Sequence, residues 1–296
     1  MVIRVRHRAI AAVLLAVVLL VAALPARADA PASFNTSAAF VYVPTSAASQ
    51  AEPFQVVLAL HGMGDEGRRF CQGFLSTADR NGWVIVAPTF SYRDWTNPAT
   101  VAEDDVALTA GLVQLLDDLP ARIGHPVRQR AMLLGFSRGA QLAHRFALAY
   151  PERTRAVAAV SAGTYTFPGK LFATADAGVR LLPFPFGTAD LEARTGHRAD
   201  PRLLSGIPFW IAVGGADQNP NDVPRQWDSI FGTTRVQRAA AFARDLQDAG
   251  VPASLTIFPG VGHGMAPEMV RGAATFMEDV TAPPTPDPSH TLAAAI

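Results

Sequence analysis

Ala131-Met132-Leu133-Leu134-Gly135-Phe136-Ser137-Arg138-Gly139-Ala140-Gln141-Leu142-Ala143-His144-Arg145-Phe146-Ala147-Leu148 passes from an apolar run, through a glycine-flanked serine, into residues with helical spacing. A serine in G-x-S-x-G, on a sharp turn between a buried strand and a helix, is a nucleophile elbow. The turn forces an unusual backbone angle on the serine, and the glycines let neighbouring backbones come close. The segment therefore predicts a Ser137 hydroxyl standing clear at a strand's carboxyl end, above the amino end of a helix. A bland Gly-Ser turn shares the five-residue pattern but lacks the strand before it and the helix after it.

The same alternation extends in both directions. Residues 39–43, 55–60, 83–87, 131–136, 156–161, 209–213 and 254–258 are short apolar runs that read as strands. Several are continuously apolar, as parallel strands covered on both faces are. Leu108, Leu112, Leu115 and Leu119 form a helical stripe that Pro120 is expected to end. Thr234 is placed to cap a helix carrying Val236, Ala240, Ala243 and Leu246, with Gly250 closing it. A last helix is expected from about Pro267 to Met277. The whole reads as α/β: a mostly parallel central sheet with helices on both faces.

One stretch, residues 163–206, has no clean period and crowds Phe167, Pro168, Phe172, Pro183, Phe184, Pro185 and Phe186 together. It reads as a loop-rich insertion that either walls the cleft near the serine or packs its aromatics into the core.

Hydrophobic residues are 49% of the chain and charged residues 17%, the balance of a globular protein with a large core. Arg4, Arg6 and Arg8 precede the apolar stretch 9–24, followed by Pro25-Ala26-Arg27-Ala28. This is the layout of a secretory signal peptide over residues 1–28, cleaved after Ala28. An uncleaved membrane anchor is the competing reading, because the apolar stretch nears the lower limit for spanning. Residues 29–280 then form a single catalytic domain, and the proline-rich tail 281–296 is expected to be disordered. Cleavage leaves 21 basic and 25 acidic residues, with no basic patch interleaved with aromatics. Nucleic acid is therefore not an expected partner. Stable membrane insertion after cleavage is not expected either, and the secreted or periplasmic product reads as a monomer. The single cysteine, Cys71, excludes an internal disulfide and reads as a small buried apolar residue.

A serine hydroxyl needs a base within hydrogen-bond reach, oriented by a carboxylate. In this strand–helix architecture the chain order is serine, acid, histidine. His263 lies in Gly260-Val261-Gly262-His263-Gly264, directly after the last predicted strand, where reacting groups of open α/β sheets collect. The acid should leave the preceding strand, which runs into Gly214-Gly215-Ala216-Asp217. Asp217 fits best, with Asp222 as runner-up and Asp190 a weaker rival. His61-Gly62-Met63-Gly64 follows the strand at 55–60, the loop that supplies one oxyanion-hole donor. The Met63 and Arg138 amides are the expected donors, and His61 is expected to hold its loop by hydrogen bonding. Asp104-Asp105 and Asp117-Asp118 read as a solvated helix face, and His144 as a packed polar residue. Trp95, Tyr165 and Trp227 either line the cleft or pack inside, with Trp95 and Tyr165 the candidate substrate-binding residues. No metal-ligand spacing occurs and no cofactor is required.

With these four motifs in place, the chain resembles the α/β-hydrolases over roughly residues 39–277. It is most similar to secreted bacterial serine esterases of the polyhydroxybutyrate-depolymerase and feruloyl-esterase-like kind, without a large helical cap. It departs from many secreted polyester and cutin hydrolases in having no disulfide. The resemblance implies ester hydrolysis through an acyl-enzyme, on a small-molecule or polymeric ester. Acyl transfer or peptide hydrolysis would use the same three groups. A non-catalytic binding protein on this scaffold would be expected to lack one of them.

Overall fold

The computed structural model describes residues 32–46, 51–174, 178–198 and 200–282. The expected signal peptide and the tail beyond residue 282 lie outside the described residues.

Seven strands form one sheet in the order β1-β3-β2-β4-β5-β8-β9. They are β1 (Phe40–Tyr42), β2 (Val56–Leu60), β3 (Val84–Ala87), β4 (Ala131–Phe136), β5 (Thr154–Val160), β8 (Phe209–Gly214) and β9 (Ala253–Phe258). Only β1 runs antiparallel to its neighbour; every other pairing is parallel. Each corresponds to one of the apolar runs, with ends displaced by no more than two residues.

The alternation of side chains across the pleat decides what each face meets. Val56, Leu58, Leu60 and Leu133 pack on one side with α3 (Pro98–Ile123), α4 (Arg138–Ala149) and α8 (Arg235–Asp248). Val57, Ala59, Met132 and Leu134 pack on the other. There they meet Cys71 of α1 (Gly67–Cys71), Ala78 of α2 (Leu75–Asn81), and Met269 and Met277 of α9 (Pro267–Thr281). Every residue of β2 is buried, as a strand covered on both faces must be.

Helix ends follow local chemistry, with one correction. Asn97 caps α3, its side chain accepting from Ala99 N at 2.9 Å, and Thr234 caps α8 by accepting from Gln237 N at 3.3 Å. Pro120 does not end α3. It sits in the last turn, where its carbonyl accepts from Gly124 and His125, and the left-handed Gly124 (φ 68°) closes the helix at Ile123. A proline there removes only one ladder hydrogen bond, which the turn tolerates. Similarly, α9 continues through Thr281, the first residue of the expected tail.

The insertion contains β6 (Leu171–Thr174) and β7 (Gly178–Leu181), an antiparallel hairpin, then α5 (Leu191–Thr195) and α6 (Pro201–Leu204). α7 (Asp228–Phe231) precedes α8. Phe184 is buried in the core, whereas Leu171, Val179 and Leu181 of the hairpin are exposed.

Two outcomes follow from this packing. Phe242 is fully buried and meets the rings of His144, Tyr165, Phe209 and Phe231. Phe242→Ala should lower unfolding free energy by about 3–5 kcal/mol in urea titration, whereas Val179→Ala in the hairpin should stay within about 0.5 kcal/mol. Cys71 is buried, and burial pushes its thiol up to about 11. A thiol-reactive dye at about pH 8 should label the unfolded chain and spare the folded one over the same interval. Rapid labelling of the folded chain would contradict that burial.

Candidate active site

The turn between β4 and α4 places Ser137 at φ 53° and ψ −114°. A non-glycine residue persists there only when its surroundings over-determine it. Here Ser137 N donates to Val160 O at 2.8 Å, and Ser137 O accepts from Ala140 N and Gln141 N at 3.1 and 3.2 Å. The flanking glycines are sterically required. A Cβ at Gly139 would strike the carbonyls of Leu60 and His61, and one at Gly135 would strike the Gly139 backbone.

Two further loops leave the same carboxyl edge of the sheet. The loop after β8 and the loop after β9 are stitched together by Gly215 N to Phe258 O at 2.8 Å and Ala216 N to Val261 O at 2.9 Å. Gly214 permits the approach, since a Cβ there would overlap the carbonyls of Val261 and Gly262. The stitching brings Asp217 under His263. His263 Nε2 lies 3.0 Å from Ser137 Oγ, and His263 Nδ1 lies 2.8 Å from Asp217 Oδ2. The Phe136 ring stacks on the imidazole with centroids 5.1 Å apart.

Asp217 is buried, and Arg235 Nη1 donates to its other oxygen, Oδ1, at 2.9 Å. Burial alone would raise its pKa; the His263 hydrogen bond and the Arg235 charge outweigh that and hold the carboxyl below the usual range. The rival acids are placed otherwise. Asp222 lines the cleft and accepts from Asn219 Nδ2 at 3.0 Å, while Asp190 accepts from Phe184 N and Arg194 Nε, both at 2.6 Å.

The loop after β2 presses on the serine from the opposite side. A Cβ added at Gly62 would lie 3.3 Å from Ser137 Cβ. Phe90 N donates to His61 Nε2 at 2.9 Å, so His61 Nδ1 carries the proton and donates to Gly62 O at 2.6 Å. Desolvation lowers the His61 pKa, consistent with a neutral ring that holds the loop. Among the described hydrogen bonds, neither the Met63 nor the Arg138 backbone N–H has a protein acceptor. Met63, Arg138, Trp95 and Gln141 line a cavity of about 240 Å³ with Ser137 and His263.

Three expectations need correction. Tyr165 is fully buried, stacked on Phe242 at 4.5 Å, and its carbonyl accepts from the buried Trp227 Nε1 at 2.8 Å. Neither ring reaches the cleft, because the segment after β5 lies over α4 and α8. For the same reason the insertion contributes Gly163 to the cleft, while Phe167 and Phe172 line a separate cavity of about 470 Å³. Finally, Asp104 and Asp105 are buried. Asp104 accepts from Ala32 N and Arg93, and Asp105 lies between Arg138 Nη2 and Arg145 Nη1, each at 2.6 Å. The signal was in α4, whose residues are all buried: two arginines in such a helix require carboxylate partners.

His144 is a packed polar residue, accepting from Thr166 N through Nε2 and donating from Nδ1 to Ala140 O. Among the described residues, no cluster of three or more His, Cys, Asp or Glu side chains could hold a metal ion.

No protein-family model matches the chain, and no curated protein sequence does so. Solved structures do match. The chain is similar to poly(aspartic acid) hydrolase-1 from Sphingomonas sp. KT-1, at 18% identity and TM-score 0.59, over 83% of this chain and 97% of that one. It is similar to a poly(3-hydroxybutyrate) depolymerase from Bordetella parapertussis, at 25% identity and TM-score 0.57, over 84% and 85%. A carboxylesterase from Bacillus cereus matches at 13% identity and TM-score 0.53, over 82% and 93%. The chain has the α/β-hydrolase fold. A carboxylesterase and two polymer-degrading hydrolases are thus among its structural neighbours, matched over most of their length.

The α/β-hydrolase elbow makes two expected outcomes sharp. Gly139→Ala must displace backbone rather than a side-chain tip, and should cost at least about 2 kcal/mol in chemical denaturation. Asp105→Asn leaves two buried guanidinium groups short of a counter-charge and should destabilise by about 3–5 kcal/mol. A wild-type denaturation midpoint in the second variant would show that the buried cluster contributes nothing.

Proposed function

We propose that the protein is an exported serine carboxylic-ester hydrolase. The observation that carries this reading is the continuous line Ser137 Oγ, His263 Nε2 and Nδ1, Asp217 Oδ2, with separations of 3.0 and 2.8 Å. Ser137 attacks the ester carbonyl while His263 takes its proton; Asp217 fixes the imidazole and stabilises its cation. The Met63 and Arg138 amides donate hydrogen bonds to the tetrahedral oxyanion, each contributing about 3–4 kcal/mol to the transition state. His263 then protonates the leaving alcohol, and water repeats the sequence to release the acid. This chemistry calls for no cofactor.

The about 240 Å³ cavity beside Ser137 favours short to medium acyl groups. Met63, 44% exposed, and the exposed His263 form an open rim over which an alcohol or a polymer segment can extend. The same openness lets water reach His263, which favours hydrolysis over acyl transfer. The polyester and polyamide named for two structural neighbours make a polymeric substrate a reasonable extension of the panel. The basic, apolar and Ala-Arg-Ala sequence at residues 1–28 supports export, with a monomeric product acting without nucleic-acid or membrane partners.

A panel of p-nitrophenyl esters of rising chain length tests the proposal. Turnover should peak at short to medium chains and vanish in Ser137→Ala. Asp217→Asn should lower kcat by about 10⁴ through the wrong imidazole tautomer. Substantial turnover in Ser137→Ala would overturn the assignment, and parallel amide analogues separate an esterase from a peptidase.

A further inference from the structure

We infer that Arg235 is a positioning residue of this site: it locks the Asp217 carboxylate, and its charge sets the pH above which His263 accepts the serine proton. The inference rests on the esterase reading above and adds a group that acts one step behind the triad.

The geometry is specific. A buried carboxylate must have both oxygens satisfied. Asp217 Oδ2 faces His263, and among the described residues the Arg235 guanidinium is the one donor that reaches Oδ1. Backbone amides would serve that oxygen equally well as hydrogen-bond donors, so the guanidinium differs by its full positive charge. Its Nη2 donates to Asp222 O at 2.7 Å. Arg235 therefore clamps both ends of the loop from Asp217 to Asp222, and Asp222 lines the cleft.

Arg235 is also in the wrong place by local rules. It is the first residue of α8, directly after the Thr234 cap, where the helix dipole disfavours a cation. The first turn of α8 contains no acidic residue to offset it. A local violation of this kind, repaired only by a tertiary partner, marks a functional constraint. The repair is the ion pair with Asp217, in which both side chains are more than nine-tenths buried.

The electrostatic consequence has a definite sign. The charged or titratable groups that act on Asp217 are His263 from the loop after β9, Arg235 from α8 and the buried Tyr165 hydroxyl, while Arg238 of α8 acts on Arg235 and pairs with Asp228. Asp222, Arg138 and Arg235 itself also line the cleft. A cation behind Asp217 offsets part of the attraction between carboxylate and imidazolium. Removing it strengthens that attraction, so the imidazolium persists to higher pH and the acid limb of activity moves upward.

The test measures kcat, KM and the pH dependence of kcat/KM for Arg235→Met, Arg235→Lys and Arg235→Gln. It also follows the pH dependence of Ser137 labelling by a fluorophosphonate, which needs only the activated serine. In Arg235→Met, kcat should fall about 10- to 100-fold with KM nearly unchanged, and the acid limb should rise by about half to one pH unit. Arg235→Lys should recover the wild-type acid limb, while Arg235→Gln should recover part of kcat but keep the shifted limb. Circular dichroism and melting establish that each variant is folded. If Arg235→Met does not fold, a common acid limb for the Lys and Gln variants overturns the proposal. So does a wild-type profile in Arg235→Met, or an effect confined to KM, which would make Arg235 a substrate contact. Absence of ester turnover by the wild-type protein would sink the substrate reading, and the labelling profiles would still decide the role of Arg235.

Discussion

Asp105, buried between Arg138 and Arg145, is the constraint on which the cleft geometry depends. One carboxylate from α3 takes a guanidinium on each oxygen, and both arginines come from α4. Arg138 directly follows Ser137, and its guanidinium also lies over the Tyr92 ring at 4.9 Å. Tyr92 donates its hydroxyl to His61 O at 3.0 Å, which ties the loop after β2 to the same group. Arg145 extends the network to Thr164 and Thr166 in the segment after β5. Loops from three strand ends are thereby referred to a single charge. A buried ion cluster of this kind adds little net stability over an apolar core of equal volume. Its effect is to favour the one arrangement in which each oxygen of Asp105 takes a guanidinium. Even the neighbouring His144 conforms, because burial and the Arg145 charge keep its pKa well below the usual value.

That rigidity is what lets strained backbone survive at the cleft. Ser137 and Ser161 both have positive φ, at 53° and 52°, and they terminate the adjacent strands β4 and β5. Each is tied to the next strand across the sheet, Ser137 N to Val160 O and Ser161 N to Ala212 O at 2.7 Å. The ladder thus runs one residue past the regular strands before the chain turns away. Strain of this order, about 1–3 kcal/mol per residue, is small against a sheet packed on both faces. It holds the Ser137 hydroxyl above the sheet edge, toward the imidazole.

The parts of this arrangement legible in sequence are those governed by local rules. Buried parallel strands must be continuously apolar, so the inner strands of the large sheet stand out, and the Gly135–Gly139 spacing is dictated by backbone contact of Gly135 with Gly139 and of Gly139 with Leu60 and His61. Thr234 and Asn97 act as caps through hydrogen bonds within three residues. What escapes sequence reading is decided by partners far along the chain. Asp104-Asp105 has the look of a solvated pair until Arg93, Arg138 and Arg145 arrive from other elements. The β6–β7 hairpin carries Leu171, Val179 and Leu181 outward, so no inward-facing alternation announces it. Tyr165 is drawn from the cleft into the core by ring contacts with His144, Phe231 and Phe242, none of which is a sequence neighbour. Arg235 is hidden most effectively, since the helix dipole argues against a cation where it stands.

The two buried aspartates use the same device for opposite ends. Asp105 is saturated by two guanidinium groups that do not release their protons near neutrality, so its cluster is static. Asp217 has one such partner, and its second is an imidazole whose far nitrogen meets Ser137 in a solvent-accessible cleft. Under the proposed esterase reading, an imidazole in place of one permanent cation makes a structural clamp into a proton relay while leaving the carboxylate paired on both oxygens. The two clusters are joined through α4 and Thr164, because Gln141 lines the cleft and its Oε1 accepts from Thr164 Oγ1 at 2.7 Å. The cleft therefore rests on a frame in which both oxygens of Asp105 and both of Asp217 are already paired.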